Sequence, residues 1–393
     1  MANQTIAIFT GTADVFTNPT LVSFFELLQN KQIHVLLFSY DQVIPPPAHI
    51  KNVRSEFLPP LISKSKGVKN GITSLKINIK TVSILKRNKV TQLLGVDYFG
   101  FIIASRFKNF LSNASLGYFS FELLFMDEIT DQKYKVLKKR EIRQVKKLDY
   151  LIIQDNTRLN LFLKENGLQD AKHLKIFKIP VAPKKIDMRL IEGIDLHEKL
   201  TIPKDKKILV YSGSVGNWAG SDQLLELLEN NWNEKFWLVI HSRLPLAPGN
   251  EYSMKIHKLI EKGYPIRLHA NPFDNYMDYA AFLKNADAAI VLYKSEEGSM
   301  YFGKNLKEIG LASGKFSMYL MLGIPVITSA QTSYKELIKQ YNFGGVIEKN
   351  VDFPALLEMC DANKEQLSKN AIKLYDEVLD PEKQLYSMIE QFN

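Results

Sequence analysis

The sequence is poor in the features that mark secreted, disulfide-bonded or membrane-spanning proteins. Its 393 residues include a single cysteine, Cys360, which excludes an internal disulfide and a cysteine-rich metal site. It contains no apolar run of about 18 residues, so we expect no membrane-spanning helix. Residues 1–10 have no basic stretch and no cleavage site, so we expect no signal peptide and a cytoplasmic location.

The chain also lacks the motifs of several enzyme classes. It has no H-E-x-x-H pair, no Ser-His-Asp order typical of hydrolases and no G-K-[ST] loop typical of P-loop proteins. We therefore expect neither a bound metal ion nor a resident cofactor. Its 46% hydrophobic and 24% charged residues are typical of a globular protein, and its length suits two domains.

The positive charge is concentrated in the first half of the chain. Residues 1–190 carry 29 Lys and Arg against 15 Asp and Glu, whereas the remainder carries 22 against 27. Within this half, residues 61–94 combine lysines with apolar residues at helical spacing. Those apolar residues are Ile72, Leu75, Ile79, Val82 and Leu85.

A basic amphipathic segment of this kind has two interpretations. It can lie on an anionic membrane surface, or it can pack on its own domain as a helix with a solvated basic face. Nucleic acid is not expected as a partner, because aromatic residues are not interleaved with these lysines.

The most informative stretch is residues 310–328, GLASGKFSMYLMLGIPVIT. Its second part is a β-branched run behind a Gly-x-Pro turn, which predicts a buried parallel strand. Its first part predicts a helix that begins at Ser313 and Gly314, with Lys315 in the first turn. Free N–H groups, the positive helix end and a lysine together favour a diphosphate. From chemistry alone, a solvated surface lysine is the alternative interpretation of Lys315.

Residues 313–327 resemble the S-x-K-x-x-E-Y-x-x-x-G-x-P-V-I pattern of GT-B glycosyltransferases close to family 4. The resemblance is sharp over 310–328 and loose over the rest of the C-terminal half. The residues that it assigns to the diphosphate of a nucleotide sugar are Ser313, Gly314, Lys315 and Tyr319. The family's paired glutamates are replaced here by Gly310 and Met318, so ribose must be recognised in another way.

The resemblance implies an α/β fold of two Rossmann-like parallel-sheet domains facing a cleft. We expect an N-terminal acceptor-binding domain over residues 1–182, a linker over 183–204 and a nucleotide-sugar domain over 205–379. A final helix over 380–393 is expected to cross back to the N-terminal domain.

Further donor-side candidates follow predicted strands of the C-terminal domain. Gly213 and Ser214 form a loop that can bind an anion. Arg243 can supply a second cation, because a guanidinium matches phosphate well. The resemblance makes Phe273 a candidate contact for the base. Candidates for sugar hydroxyls, in a polar loop where a carboxylate is commonly just solvated, are Glu296, Glu297 and Asn305.

Acceptor-side candidates follow two predicted strands of the N-terminal domain. Gly11 and Thr12 resemble the turn at the base of a GT-B N-terminal domain, although an ordinary tight turn explains Gly11 equally well. Glu122 ends a predicted strand at the edge where parallel sheets bind ligands. It is a candidate to orient or deprotonate the acceptor hydroxyl, and a structural carboxylate is the alternative.

These features predict a glycosyltransferase that moves a sugar from a UDP- or GDP-sugar to a glycan or lipid-linked acceptor. Lys315 and Arg243 would stabilise the leaving diphosphate without a metal ion. The absence of D-x-D argues against the metal-dependent type, and the resemblance implies a retaining outcome. The basic half indicates a peripheral site on the inner membrane face, in bacterial surface polysaccharide or glycoconjugate synthesis. The alternatives are a nucleotide-sugar epimerase of the same fold and a non-catalytic scaffold.

Overall fold

The computed structural model describes residues 4–11, 14–40, 44–58, 68–170, 172–242, 249–273 and 275–392, with only the backbone of 68–77. Two predicted site residues, Thr12 and Arg243, lie outside these ranges. The chain divides into two compact units. The first comprises Met1–Lys184, Gly298–Tyr301 and Pro381–Asn393, and the second comprises Lys185–Glu297 and Phe302–Asp380.

The first unit is built on a parallel sheet. Its strands are β1 Thr5–Thr10, β2 His34–Ser39, β3 Val53–Phe57, β4 Gln92–Val96, β5 Ser115–Phe119, β6 Tyr150–Ile153 and β7 Lys175–Lys178. Its helices up to residue 184 are α1 Pro19–Asn30, α2 Val68–Arg87, α3 Asp97–Lys108, α4 Gln132–Gln144 and α5 Asn156–Asn166. The order is β3-β2-β1-β4-β5-β6-β7, so the direction of winding reverses between β1 and β4. All six residues of β1 are buried, as expected when helices cover both faces.

Local signals account for most of these elements. Asn18 caps α1, and its side chain accepts from the N–H groups of Thr20 and Leu21. Gly167 ends α5 in the left-handed conformation with φ of 64°, as is common for a glycine after the last helical residue. The sequence pattern predicts neither β4 nor α3. The sequence of α3, DYFGFIIASRFK, is apolar around most of its circumference and shows no clear period.

The basic amphipathic segment contributes α2. Its C-terminal end packs on the first unit, because Leu85 is fully buried in the core while Lys86 and Arg87 are exposed. Ile79 is 60% exposed, so the predicted apolar stripe does not continue as a packed face. Ile72 and Leu75 lie where side chains are not described. The described end of α2 therefore behaves as a packed helix with a solvated basic face.

The second unit repeats the architecture. Its strands are β8 Lys207–Ser212, β9 Phe236–His241, β10 Ile266–His269, β11 Ala288–Val291, β12 Val326–Ser329 and β13 Gly344–Ile347. Its helices are α6 Leu196–Leu200, α7 Ser221–Asn230, α8 Glu251–Glu261, α9 Tyr276–Leu283, α10 Lys304–Lys307, α11 Gly314–Met321, α12 Thr332–Tyr341, α13 Phe353–Ala362 and α14 Lys364–Leu374. The order is β10-β9-β8-β11-β12-β13, with every pair parallel. The winding reverses between β8 and β11, and ligands bind at such a point in parallel sheets.

The last helix, α15 Glu382–Glu390, belongs to the first unit and packs against α1. The chain end is tied to the sheet, because Gln4 and Gln92 both donate to the Phe392 carbonyl. Within the described ranges, no helix has the length and apolar content needed to cross a membrane. The prediction of an α/β protein with two parallel sheets is confirmed.

Candidate functional site

The N-terminus of α11 begins where the sequence predicts. Ser313 is the N-cap residue, and its Oγ lies 3.4 Å from the Phe316 nitrogen that donates to it. The same Oγ shares a 2.7 Å hydrogen bond with the Tyr293 hydroxyl, which fixes the cap against the end of β11. Gly314 and Lys315 are the first two helical residues. A lysine therefore stands at the positive end of the helix dipole.

The surroundings of Lys315 provide its ammonium with two aromatic rings but no carboxylate among the described residues. Its Nζ lies 4.7 Å from the ring centre of Tyr211 and 4.6 Å from that of Tyr293. Within the described residues, no carboxylate pairs with it. Burial lowers the pKa of Lys315 to about 7. An anion bound beside it would favour the charged form, so this position is suited to an anionic ligand.

The loop after β8 meets this lysine. Gly213 has φ of 151°, a value that L side chains rarely adopt. A Cβ added there would lie 3.5 Å from Lys315 Cδ and 3.6 Å from Lys315 Nζ. The adjoining Ser214 is exposed, and its carbonyl accepts from the Tyr211 hydroxyl at 2.6 Å. Two of the predicted anion-binding segments thus come together at the point where the winding of the sheet reverses.

A buried polar chain supports this loop from beneath. The Ser212 N–H donates to the Tyr319 hydroxyl at 2.8 Å, and Tyr319 is fully buried. Tyr279 donates to Ser212 Oγ at 2.8 Å, and that Oγ lies 2.7 Å from His241 Nδ1. His241 Nε2 in turn lies 3.2 Å from the Asn271 carbonyl. Tyr319 therefore positions the loop, and its predicted contact with the nucleotide stays a prediction.

An aromatic cluster surrounds Phe273 after β10. The ring centre of Phe273 lies 5.4 Å from that of His269, with an angle of 13° between the ring planes, and 4.9 Å from that of His241. Burial holds the pKa of His269 below its usual range, so this imidazole is neutral at pH 7. Its Nδ1 is buried and has no hydrogen-bond partner among the described residues. The sequence pattern gives no signal for His269, because its position beside Phe273 depends on tertiary packing.

The polar loop between β11 and α10 differs from expectation. Glu296 Oε1 accepts from Asn217 Nδ2 at 2.6 Å, and the Glu296 N–H donates to the Phe302 carbonyl. Glu296 therefore joins two loops instead of facing a sugar. Asn305 is only 4% exposed, so it too is a structural residue in this arrangement. Glu297 is exposed.

In the first unit, Glu122 has an unpredicted neighbour. Asp97 directly follows β4 with φ of 52°, and its Oδ1 accepts from the N–H groups of Phe121 (2.8 Å) and Glu122 (2.9 Å). Burial, and then the charge of Glu122, raise the pKa of Asp97 to about 7. Glu122 is exposed. Two carboxyl groups thus follow neighbouring strands. The sequence could have indicated Asp97, because it directly follows the apolar run QLLGV of β4.

The turn after β1 is explained by packing. A Cβ added at Gly11 would lie 2.6 Å from Phe99 Cδ1, so the glycine leaves room for this ring. Gly11 is therefore accounted for by packing, and its predicted place in the acceptor site stays a prediction. Neither Thr12, its neighbour, nor Arg243, the predicted second cation, is among the described residues.

Solved structures of glycosyltransferases share this architecture. The chain superposes on sucrose-phosphate synthase from Thermosynechococcus elongatus with a TM-score of 0.69 and 12% identity, covering 99% of this chain and 98% of that chain. HepE of Anabaena in complex with UDP and glucose superposes with a TM-score of 0.68 and 13% identity, covering 99% of each chain. WaaG, a glycosyltransferase involved in lipopolysaccharide biosynthesis, superposes with a TM-score of 0.64 and 14% identity, covering 98% of this chain and 99% of that chain. The fold is that of the GT-B glycosyltransferases, as the resemblance implied.

A more particular match lies in the second unit. Residues 290–382 match the family described as "Glucosyltransferase 3-like, C-terminal domain". This range begins in β11 and contains all of α11, including Lys315. No curated protein sequence matches the chain. The chain thus has the GT-B fold, and its second unit contains a domain that matches a glucosyltransferase family, which confirms the predicted enzyme class.

Proposed function

We propose that the chain transfers a glycosyl group from a UDP-sugar to a glycan or lipid-linked acceptor, without a metal ion and with retention of configuration. The observation that carries this proposal is Lys315, whose ammonium lies at a helix N-terminus with no carboxylate partner among the described residues. UDP is favoured over GDP because the solved structure of HepE, which shares the fold, contains UDP.

The diphosphate would lie against three kinds of donor. The first N–H groups of a helix have no acceptor within the helix, so those of Gly314 and Lys315 are available to an anion, while that of Phe316 donates to Ser313. Lys315 adds a full charge, and the loop at Gly213 allows the backbone to approach closely. As the sugar leaves, negative charge grows on the nucleoside diphosphate. Donors already in position stabilise that charge without a metal ion.

The base would occupy the cluster around Phe273. Its ring offers a flat apolar face, and the neighbouring His269 Nδ1 offers an unused polar atom within the described residues. A pyrimidine needs both a stacking surface and a hydrogen-bond partner at its edge. Met318 is buried and stands where the family has a glutamate, so other residues would contact the ribose.

On the acceptor side, Glu122 would orient the attacking hydroxyl. Asp97 holds the backbone at Phe121 and Glu122, so it positions this carboxylate. The excess of basic residues over 1–190 suits an anionic membrane surface, and WaaG, which shares the fold, is involved in lipopolysaccharide biosynthesis. These features support a peripheral membrane enzyme of bacterial surface polysaccharide or glycoconjugate synthesis.

Turnover of nucleotide sugars tests the proposal. The protein is incubated with UDP- and GDP-sugars and candidate acceptors, and released nucleotide and the anomeric configuration of the product are measured. Lys315→Met should lower the rate by about 10²–10³-fold, since one stabilising contact to the developing charge is lost. Lys307→Met, which removes an exposed lysine from α10 of the same unit, should leave the rate unchanged.

Each alternative gives a different result. An epimerase would convert the donor sugar without joining it to an acceptor. A scaffold would neither release nucleotide nor respond to the substitution at Lys315. Equal rates for Lys315→Met and the parent protein would contradict the proposed role of this lysine.

A further inference from the structure

A second cationic feature lies in the first unit, between α3 and α4. A cavity of about 190 Å³ opens there. Its lining residues come from two facing helix surfaces. Two of them are one turn apart on α3, and the other three lie within one and a half turns on α4. The lining residues are Ile102, Arg106, Arg140, Arg143 and Gln144.

The three arginines have no counter-charge in the described part of the chain. None of their guanidinium groups makes a hydrogen bond or an ion pair with another described residue. The one carboxylate of α4, Glu141, is buried elsewhere, 3.0 Å from Lys138 and accepting from the Tyr118 hydroxyl at 2.9 Å. It cannot neutralise the arginines from that position.

Arg106 and Arg140 are partly buried, whereas Arg143 is exposed, so the electrostatic cost falls mainly on Arg106. Burial, and then the charge of Arg140, lower the pKa of Arg106, and the nearby Tyr40 offsets this in part. Gln144 Oε1 is also buried without a partner among the described residues. Like charges that are brought together and partly desolvated destabilise each other unless an anion joins them. The amide of Gln144 can turn its NH₂ toward such an anion.

We propose that this cavity binds a phosphate monoester, carried either by a lipid headgroup or by a soluble compound. Guanidinium groups match phosphate oxygens with paired hydrogen bonds, and three of them suit a group with three oxygens and nearly two charges. A carboxylate has only two oxygens and one charge. At roughly 30 Å³ per water molecule, the cavity has room for about six waters, enough for a phosphate group.

The surrounding surface makes diffuse attraction the competing explanation. Lys133 and Lys139 of α4 are exposed, as is Lys146 just beyond it. Such lysines attract any anionic membrane, whatever its headgroup. The experiment must therefore separate the cavity from the general charge of this face.

Two charge-matched double variants of the full chain make this separation. One carries Arg140→Gln with Arg143→Gln, and the other carries Lys139→Gln with Lys146→Gln. Both lose two positive charges from the same face. Binding is measured by sedimentation with phosphatidylcholine vesicles that contain either phosphatidic acid, a phosphate monoester, or phosphatidylglycerol, a diester, at equal surface charge.

The arginine variant should lose about tenfold or more of its affinity for the monoester vesicles, since charge-assisted hydrogen bonds are removed. The lysine variant should lose clearly less. Equal losses in both variants, or equal binding of the parent protein to both vesicle types, would exclude a lipid headgroup as the source of the phosphate.

Soluble phosphate distinguishes the two sources. Inorganic phosphate and glycerol phosphate are titrated while the melting temperature is followed. A rise that the arginine variant lacks assigns the site to a soluble phosphate compound, whereas vesicle binding without that rise assigns it to a lipid. Absence of both would overturn the proposal.

Two controls keep these outcomes clear. The arginine variant should melt no lower than the parent protein, because repulsion is relieved, and a marked fall would mean that the arginines are structural. UDP binding to the second unit should be the same in both variants. A failure of this site is thereby distinguishable from a failure of the proposed transferase function.

Discussion

The two units present opposite charges at equivalent places. Each is a parallel sheet whose winding reverses, between β1 and β4 in the first unit and between β8 and β11 in the second. In the second unit, Lys315 lies beside the loop after β8 and has no carboxylate partner among the described residues. In the first unit, Asp97 and Glu122 follow the neighbouring strands β4 and β5. One architecture thus serves two chemistries, and the residues after the strands decide which.

This contrast fits the proposed division between donor binding and acceptor binding. A desolvated cation at a helix N-terminus binds an anion, which suits the diphosphate of a donor. A pair of carboxyl groups, one of them with its pKa raised to about 7, suits the handling of a hydroxyl proton. Three predictions sharpen or break the comparison.

The largest effect concerns the pH dependence of UDP affinity. Burial sets the pKa of Lys315 to about 7, so in the free protein this amine loses its proton as pH rises above that value. A bound diphosphate favours the ammonium, and binding then requires uptake of a proton. Because half of the amine is already neutral at pH 7, affinity should fall about 50-fold between pH 7 and pH 9, and the slope approaches tenfold per pH unit at the upper end. Isothermal titration calorimetry measures this dependence.

Lys315→Arg provides the matched control. A guanidinium stays charged throughout this range, so the affinity of the variant should hardly change with pH. If the parent protein bound UDP equally well at both pH values, the desolvated amine would not be part of the site.

The second effect concerns Asp97 in the first unit. Asp97→Ala leaves the Phe121 and Glu122 N–H groups without their acceptor, which should lower the free energy of unfolding by about 1–3 kcal/mol. Asp97→Asn keeps an acceptor and tolerates the positive φ, so it should destabilise less. Urea unfolding followed by circular dichroism gives both values.

The same variants test the sign of the pKa shift. The pKa of Asp97 is raised in the folded protein, so between about pH 4 and pH 7 the folded state holds a proton that the unfolded state has released. The contribution of this group to stability therefore falls as pH rises through that window. The parent protein should lose stability relative to Asp97→Asn from pH 5 to pH 8. A relative gain would mean that the carboxyl is ionised and stabilised.

The smallest effect concerns the cap of α11. Ser313→Ala removes the side chain that accepts from Phe316 and bonds to Tyr293, and it should cost about 1 kcal/mol. The exposed Ser295→Ala in the same unit serves as control and should leave the melting temperature unchanged. Equal melting temperatures for both variants would show that the cap does not stabilise the helix start.

Sequence reasoning succeeded where signals are local. Ser313 and Gly314 mark a helix start, a Gly-x-Pro turn precedes β12, and Gly167 ends α5, each within a few residues. These signals predicted individual elements, whereas the fold class was predicted from the resemblance to GT-B glycosyltransferases. The basic segment was predicted as a helix, but its exposed Ile79 shows that spacing alone does not say which face packs.

It was less successful where a role depends on distant neighbours. Glu296 is tied to Asn217, a residue 79 positions away, and no local pattern shows this pairing. Tyr319 fits a family motif, yet its hydroxyl accepts a hydrogen bond from the Ser212 N–H at the end of β8. Asp97 was missed because its meaning comes from β5 packing beside β4. Long-range pairings of this kind are fixed by the tertiary fold.

The central claim is that Lys315 and the elements around it bind a nucleoside diphosphate. The most direct test is a thermal-shift titration in which UDP and GDP are added to the parent protein, Lys315→Met and Lys307→Met. UDP at about 100 times its dissociation constant should stabilise the parent and Lys307→Met by roughly 2.7 kcal/mol. The rise in melting temperature should vanish in Lys315→Met. No rise with any nucleotide, or an equal rise in all three proteins, would contradict the account.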